Sequence, residues 1–222
     1  MRIEEAEFIG KKILSLSGDI QGDVLNIGSS TKNVREVIQP HVHHYIFQLL
    51  ADANVFVVHA DLKEASGVDI AGNLFDPVMQ EKLAKIKPAV VLACNLMEHL
   101  VVESRDKLPA ILDKIITPSG VLILTVPYSY PIHYDPIDTY YRPSPQELCD
   151  LFPGYDVIES KIIVSSSFGS DLISSGITSF IRTFARLFFP FYHFRGWVSY
   201  VHRFRWLFRP YLISCVVLRK PS

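Results

Sequence analysis

The stretch VLNIGSSTKNVR, Val24 to Arg35, decides how the rest of the chain is read. Its first four positions hold three apolar side chains, two of them β-branched, which suits a short buried strand. Gly28, Ser29 and Ser30 then form a turn of small residues, and the polar run from Thr31 reads as a helix start. Such a turn leaves backbone amides open at the carboxyl end of a strand, where an open α/β sheet receives a ligand. The hexapeptide GSSTKN lacks the second and third glycines of the G-x-G-x-x-G spacing, which disfavours a dinucleotide.

Outward from this unit, five apolar runs follow one another between Asp23 and about Pro127: VLNIG (24–28), NVFVVHADL (54–62), VDIAG (68–72), AVVLACN (89–95) and GVLILTVP (120–127). Continuous apolar strands are buried on both faces, so they imply a mostly parallel sheet with helices on either side, a doubly wound α/β fold. The intervening helical material is TKNVREVIQPHVHHYIFQLLAD, broken by Pro40, then PVMQEKLAKIK, then VVESRDKLPAILDKIITPSG, stopped by the Pro118 to Gly120 turn. After the fifth run a helix is expected to start near Ser144, and two further strands follow, 155–167 and 211–220. At 222 residues the chain suits a single domain, 1–222, with an elaboration.

With 49% hydrophobic and 20% charged residues and a mean hydropathy of +0.21, the chain is slightly more apolar than an average soluble domain, so some apolar surface is expected to be exposed. The distant cysteines Cys94, Cys149 and Cys215 fit neither a zinc pattern nor a paired disulfide framework, and the N-terminal segment has no secretory character. Both point to a cytoplasmic location. The net charge of −1 conceals a balance of −9 over residues 1–160 and +8 over 161–222. The C-terminal part is therefore expected to face something anionic, such as lipid headgroups, a nucleic acid or the acidic remainder of its own chain.

Several segments occur in an order that resembles the class I S-adenosylmethionine-dependent methyltransferases, specifically the type 11 methyltransferase domains. They are VLNIGSS, VVHADLKEASGVDIAGNLFD, VVLACNLMEHL and GVLILTVPYSYPIHYDPIDTYYRPSPQEL. The Glu-His pair after the fourth strand and the Val-Pro followed by an aromatic, proline-rich loop ending RPSPQEL carry most of the likeness, which covers about residues 20–160. It implies a Rossmann-like domain whose two later strands pair as a terminal antiparallel hairpin, and which binds S-adenosylmethionine and methylates an oxygen or nitrogen of a small or lipid-linked acceptor, such as a sugar or other metabolite.

The resemblance places Asn26, Gly28 and Ser30 under the methionine end of that cofactor. Asn26 stands where the family has an acid, and Ser30 and Lys32 where it has glycines. An amide in place of the carboxylate gives up a charge-assisted bond worth on the order of 1 kcal/mol. Asp61, ending the second strand, would take the ribose hydroxyls, since a carboxylate accepts both protons. Asn73 and Leu74 would meet the adenine, while Asp76 before Pro77 reads as a helix cap. Asn95, Glu98 and His99 follow the fourth strand and would face the transferred methyl, with His99 as the base, a role that suits the imidazole side chain.

The loop PIHYDPIDTYYRP adds His133 and Asp135 as alternative bases and Tyr128, Tyr134, Asp138, Tyr140 and Arg142 as acceptor contacts, Arg142 serving as an anion clamp or a structural tie. His41, His43 and His44 lack companion ligands at metal spacing, so no metal is expected.

Residues 168–211 hold fourteen of the 26 aromatics and six arginines against one acid, which marks an aromatic and basic insertion between the last two strands. Phe180, Phe184, Leu187 and Phe188 follow a helical spacing, with Arg182 and Arg186 on another side. For 177–210 the reading leaves open an anionic membrane surface on the inner face of the membrane, a homodimer interface, or a lid. Nucleic acid is disfavoured by the scarcity of lysine. The rival to an enzyme is a methyltransferase-like domain that has lost catalysis and serves as a partner-binding or membrane-associated subunit, for which Asn26, Ser30 and Lys32 speak.

Overall fold

The computed structural model describes residues 1–16, 22–132, 137–187 and 194–222. Its centre is a seven-stranded sheet: β1 (Val24–Ile27), β2 (Val57–Asp61), β3 (Ile70–Ala71), β4 (Val90–Cys94), β5 (Val121–Ser129), β6 (Asp156–Ser167) and β7 (Pro210–Arg219), in the order β3-β2-β1-β4-β5-β7-β6. The first five strands are parallel. β7 runs antiparallel to both β5 and β6, so the expected terminal hairpin is present and closes one edge. Each anticipated strand forms, β2 and β3 being shorter than their apolar runs. The order reverses direction at β1 and β4, whose carboxyl ends diverge into the crevice typical of such sheets.

Helices cover both faces. On one, α4 (Pro77–Lys85), α5 (Val102–Ile115) and α6 (Pro145–Asp150) pack over Leu25, Val91, Leu122 and Leu124. Asp76 caps α4 by accepting from Val78 N at 2.9 Å, and Ser144 opens α6 in a reciprocal capping box with Glu147, where the sequence puts both starts.

The other face is covered by α1 (Ile3–Leu16) and by helical turns from Val34 to Asp52. These comprise α2 (Pro40–Val42), α3 (Leu49–Asp52) and the π-helical stretches Val34–Ile38 and His43–Gln48. Gln39, at φ −126°, breaks them before Pro40, as the residue preceding a proline is disposed to do. α1 was not among the anticipated core elements, yet Ala6, Ile9 and Ile13 bury its inner side against Ile46 and Leu50. Gly10 lets it lie against the Tyr45 carbonyl, where a Cβ would collide.

Between β6 and β7 come α7 (Phe168–Ser174), α8 (Ile177–Leu187) and α9 (Phe194–Arg203). They join the body through a small cluster of Phe168, Leu172, Trp206 and Tyr211.

Candidate active site

The opening stretch folds into its expected turn. Gly28 and Ser30 adopt left-handed backbone, at φ 72° and 57°, and the amides of Gly28 and Ser29 both donate to Ala60 O, at 2.9 and 3.1 Å. Ser30 N donates to Asp61 Oδ2 at 2.7 Å, which fixes that carboxylate at the turn. Oδ1 of Asp61 has a weaker contact, 3.5 Å from Lys63 N, and Leu62 beside it is 65% exposed. Gly72 N donates to Asp61 O, while Asn73 Oδ1 accepts from Phe75 N at 3.0 Å. Asp61, Asn73 and Leu74 thus gather at the carboxyl ends of β2 and β3.

The turn is held from below by Arg35, which the sequence reading missed. Buried to 7% exposure, its guanidinium donates to Ser29 O (2.9 Å), Ser30 O (2.6 Å) and Gly67 O (2.7 Å). Burial lowers its pKa, with Asp69, Glu36 and Asp61 opposing the effect. Lys32 N donates to Ser66 O at 2.8 Å, so the segment after β2 leans on the turn. Gly67 permits this approach: at φ 78° it faces Lys32 where a Cβ would stand 2.6 Å from the Lys32 Cβ. A signal for Arg35 existed, because a cation in a helix's first turn opposes the dipole and calls for a local partner.

Asn26 is 8% exposed, and its Nδ2 lies 3.2 Å from Nδ1 of His59 on the neighbouring strand. An amide nitrogen only donates, so Nδ1 accepts and the His59 proton resides on Nε2. Burial, helped by Arg35, lowers the His59 pKa to about 4, which keeps the ring neutral.

At the ends of β4 and β5 a second unanticipated residue appears. Glu5, 1% exposed, comes from the first turn of α1, and its Oε1 accepts from Asn95 Nδ2 and from Thr125 Oγ1, each at 2.6 Å. Arg2 N donates to its Oε2 at 3.1 Å. Asn95, at φ 51°, is tied by its own N to Thr125 O at 2.8 Å. Glu5 shares the buried side of α1 with Ile9 and Ile13, four and eight residues on, a helical register visible in the sequence.

Glu98 follows in a single 3₁₀ turn, Met97–His99, and is also 1% exposed. Desolvation raises its pKa to about 8; Glu5 and Asp138 add to the rise, and a backbone hydrogen bond and Arg142 oppose it. Its Oε2 has no hydrogen-bond partner among the described residues. The side chain of His99 is 19% exposed, with Nε2 3.8 Å from Glu98 Oε1 and Nδ1 2.9 Å from Ile137 O. A carbonyl only accepts, so Nδ1 carries the proton and Nε2 is the basic nitrogen.

The loop after β5 is fastened across these groups. Thr139 donates to Glu98 O from N (2.8 Å) and Oγ1 (2.9 Å). Arg142 pairs in bidentate fashion with the fully buried Asp138 side chain, at 2.6 and 3.1 Å, and stacks over Tyr140. Of the two roles weighed for Arg142, the structural tie is the one its geometry displays. Tyr128 and Tyr140 are 41% and 54% exposed. His133, Tyr134 and Asp135 lie outside the described residues. Beside Tyr130, a pocket of about 220 Å³ opens between Arg2, Phe168, Leu172, Arg203 and Tyr211.

Among the described residues no group of three His, Cys, Asp or Glu is arranged to hold a metal. The His41 ring instead meets Met1 O at 3.0 Å. Cys94 and Cys215 are buried, and burial pushes the Cys94 thiol up to about 12.

No protein-family model and no curated protein matches the chain. Solved structures do. A S-adenosylmethionine-dependent methyltransferase from Archaeoglobus fulgidus aligns with a TM-score of 0.52 at 13% identity, over 97% of this chain and 94% of that one. A Galdieria sulphuraria protein assigned as a sarcosine dimethylglycine methyltransferase aligns with a TM-score of 0.59 at 11% identity, over 97% and 84%. The Burkholderia thailandensis 1,6-didemethyltoxoflavin-N1-methyltransferase, solved with 1,6-didemethyltoxoflavin and S-adenosylhomocysteine bound, aligns with a TM-score of 0.52 at 13% identity, over 99% and 80%. The fold is therefore that of the class I S-adenosylmethionine-dependent methyltransferases.

Proposed function

We propose that this chain, read as one domain over 1–222 with an insertion at 168–211, is a methyltransferase that uses S-adenosylmethionine. It moves the methyl group to an oxygen or nitrogen of a small or lipid-linked acceptor, in the cytoplasm. The observation that carries this reading is the Asp61 carboxylate, fixed through Oδ2 by Ser30 N at the sheet crevice while Oδ1 has only a 3.5 Å contact. The donor set fits the cofactor: a carboxylate oxygen for a pair of hydroxyls, the exposed Leu62 beside it for an apolar ring, and a left-handed turn at Gly28 and Ser30. Bound there, S-adenosylmethionine supplies an electrophilic methyl carbon on a sulfonium sulfur.

In this reading Asp61 holds the ribose, Asn73 and Leu74 border the adenine, and the turn at Gly28 and Ser30 receives the methionine end. Asn26 and Asn95 spend amide hydrogens on His59 and Glu5, and so brace the floor of the crevice. Nε2 of His99 takes the proton that the acceptor oxygen or nitrogen loses as it forms its new bond to carbon. His133 and Asp135 are the alternative bases. Tyr128, Tyr134, Asp138, Tyr140 and Arg142 form or support the acceptor side.

One observation favours a domain that has lost the cofactor: Leu96 stands 3.2 Å from the position a Gly28 Cβ would take, and the segment around Ser66 and Gly67 leans on the turn. Calorimetric titration with S-adenosylmethionine and S-adenosylhomocysteine separates the readings. The enzyme requires saturable binding, weakened about tenfold or more in Asp61→Ala by loss of charge-assisted bonds, with thermal melts verifying that the variant folds. Absence of binding at millimolar ligand would overturn the proposal.

A further inference from the structure

The segment between β6 and β7 leaves apolar side chains in water. On α8, Ile177, Ile181 and Phe184 are 72%, 59% and 38% exposed. Their i, i+4, i+7 spacing puts them on one side of the helix, while the exposed Arg182 and Arg186 lie on the other. Two neighbouring elements continue this character, with Ile173 at the end of α7 80% exposed and Phe208 before β7 89% exposed. These elements form one unit: the Phe184 ring meets Phe204 at 6.1 Å, Phe204 meets Phe168 at 5.4 Å, and Gly169 N donates to Leu207 O at 3.1 Å.

The charge around this surface has one sign. Arg182, Arg186, Arg203, Arg205 and Arg209 are all exposed, and the single acid of the segment, Asp171, is committed to Arg2 at 2.7 Å. No helix among the described residues is long and apolar enough to cross a membrane. An amphipathic helix with a strongly cationic polar side and bulky apolar anchors is what an anionic bilayer interface binds, its anchors entering the acyl boundary while the arginines meet headgroup phosphates.

We propose that α8, with Ile173 and Phe208, docks the protein peripherally on an anionic lipid bilayer. The apolar side chains come from three separate elements rather than one protruding knob, which suits a fluid apolar medium better than a fixed protein groove. Five arginines that form no ion pair among the described residues suit an extended anionic partner, and a headgroup layer supplies one. The inference goes beyond the proposed activity and does not depend on it.

The test is flotation with vesicles of phosphatidylcholine alone or mixed with phosphatidylglycerol, using the full chain. The wild type is expected to float with the mixed vesicles, to stay behind with phosphatidylcholine, and to be released by salt raised about tenfold. The double variant Arg182→Glu/Arg186→Glu is expected to lose at least tenfold in partitioning, at roughly fivefold for each arginine withdrawn from the surface. Ile181→Asp/Phe184→Asp is expected to lose binding as completely. Arg182, Arg186 and Ile181 are exposed, while Phe184 keeps a ring contact with Phe204, so melting temperatures are measured on both variants to verify that each is folded. Vesicle binding that neither variant weakens, or no binding by the wild type, would refute the proposal. So would a dimer in light scattering that Ile181→Asp/Phe184→Asp dissociates, since the apolar side would then be an interface between two copies. Calorimetry with S-adenosylhomocysteine on the same samples keeps this outcome separate from the methyltransferase reading.

Discussion

Replacing Glu98 by glutamine probes the most strongly perturbed carboxyl near the crevice. In the unfolded chain Glu98 loses its proton near pH 4.5; in the folded chain it keeps it to about pH 8, chiefly because burial disfavours the ion. Between those values the native state binds one proton more than the unfolded state, so its stability falls as pH rises. The contribution is whole below pH 4.5 and lost by the time pH passes about 8. At 1.36 kcal/mol for each pH unit, the ionised form is disfavoured by on the order of 5 kcal/mol, of which about 4 kcal/mol develops between pH 5 and 9. Glu98→Gln keeps the shape and cannot ionise, so its stability lacks this slope. Its amide hydrogens, placed where Oε2 has no described partner, cost about 1 kcal/mol, but equally at every pH. Urea unfolding of both proteins from pH 5 to pH 9 should show the variant gaining on the wild type by up to about 4 kcal/mol, or roughly 8 to 16 °C in melting temperature. Parallel curves would show that the Glu98 carboxyl is solvated, and the dry site drawn at the end of β4 would be wrong.

His59 supplies the opposite slope. Its pKa falls from 6.5 to about 4, so its stabilising effect is present above pH 6.5 and lost as pH falls through 4. Long-range nitrogen-proton correlation spectra should show His59 neutral and protonated on Nε2 down to about pH 5, and His99 protonated on Nδ1; the reverse tautomers would contradict the hydrogen bonds assigned to Asn26 and Ile137. Gly10→Ala, which in an ordinary helix stabilises by about 1 kcal/mol, should here destabilise by about 2 kcal/mol, because the new methyl meets the Tyr45 carbonyl; thermal denaturation gives the sign directly. Arg35→Met strands the carbonyls of Ser29, Ser30 and Gly67. It should cost about 3 kcal/mol in unfolding experiments and weaken S-adenosylhomocysteine in calorimetry, with Arg35→Lys restoring only part of either.

The strands were legible because a strand buried on both faces carries its signature in a few consecutive residues, as VVLAC in β4 and VLILTVP in β5 do. Asp76 and Ser144 were legible for the same reason, since a cap acts on amides two or three residues away. Glu5 and Arg35 escaped because their partners are remote in sequence. Glu5 meets Asn95 and Thr125, ninety and 120 positions on, and Arg35 reaches Gly67 across 32. Asn26 and Asn95 were assigned to the site by position in the chain, and position alone did not reveal that His59 and Glu5 occupy their amides. Arg142 met the same limit: its choice between clamp and tie depended on Asp138 turning inward, to a side chain with no exposure.

Arg2 and the first turn of α1 that follows it link the two regions that the proposals concern. Arg2 donates to both carboxylate oxygens of Asp171 in α7, at 2.9 and 2.7 Å, and to Ser165 at 3.0 Å, while its ring-stacking contact with Tyr211 lies at the mouth of the pocket. Three residues later, Glu5 binds Asn95 and Thr125 at the ends of the central strands. Arg2 immediately precedes α1 and is tied to its first turn, its O accepting from Ala6 N at 3.0 Å and its N donating to Glu5 Oε2 at 3.1 Å, so the two residues move together. A displacement of α7 must therefore either break a bidentate, half-buried ion pair or carry the first turn of α1 with it. In the second case the Glu5 carboxylate moves against Asn95, beside Glu98 and His99. Breaking the pair is costly, since it leaves the guanidinium of Arg2 and the carboxylate of Asp171 half-buried without their charge-assisted bonds. The stiffer route thus runs from the cationic, apolar segment to the crevice, and α1 is the element that carries it.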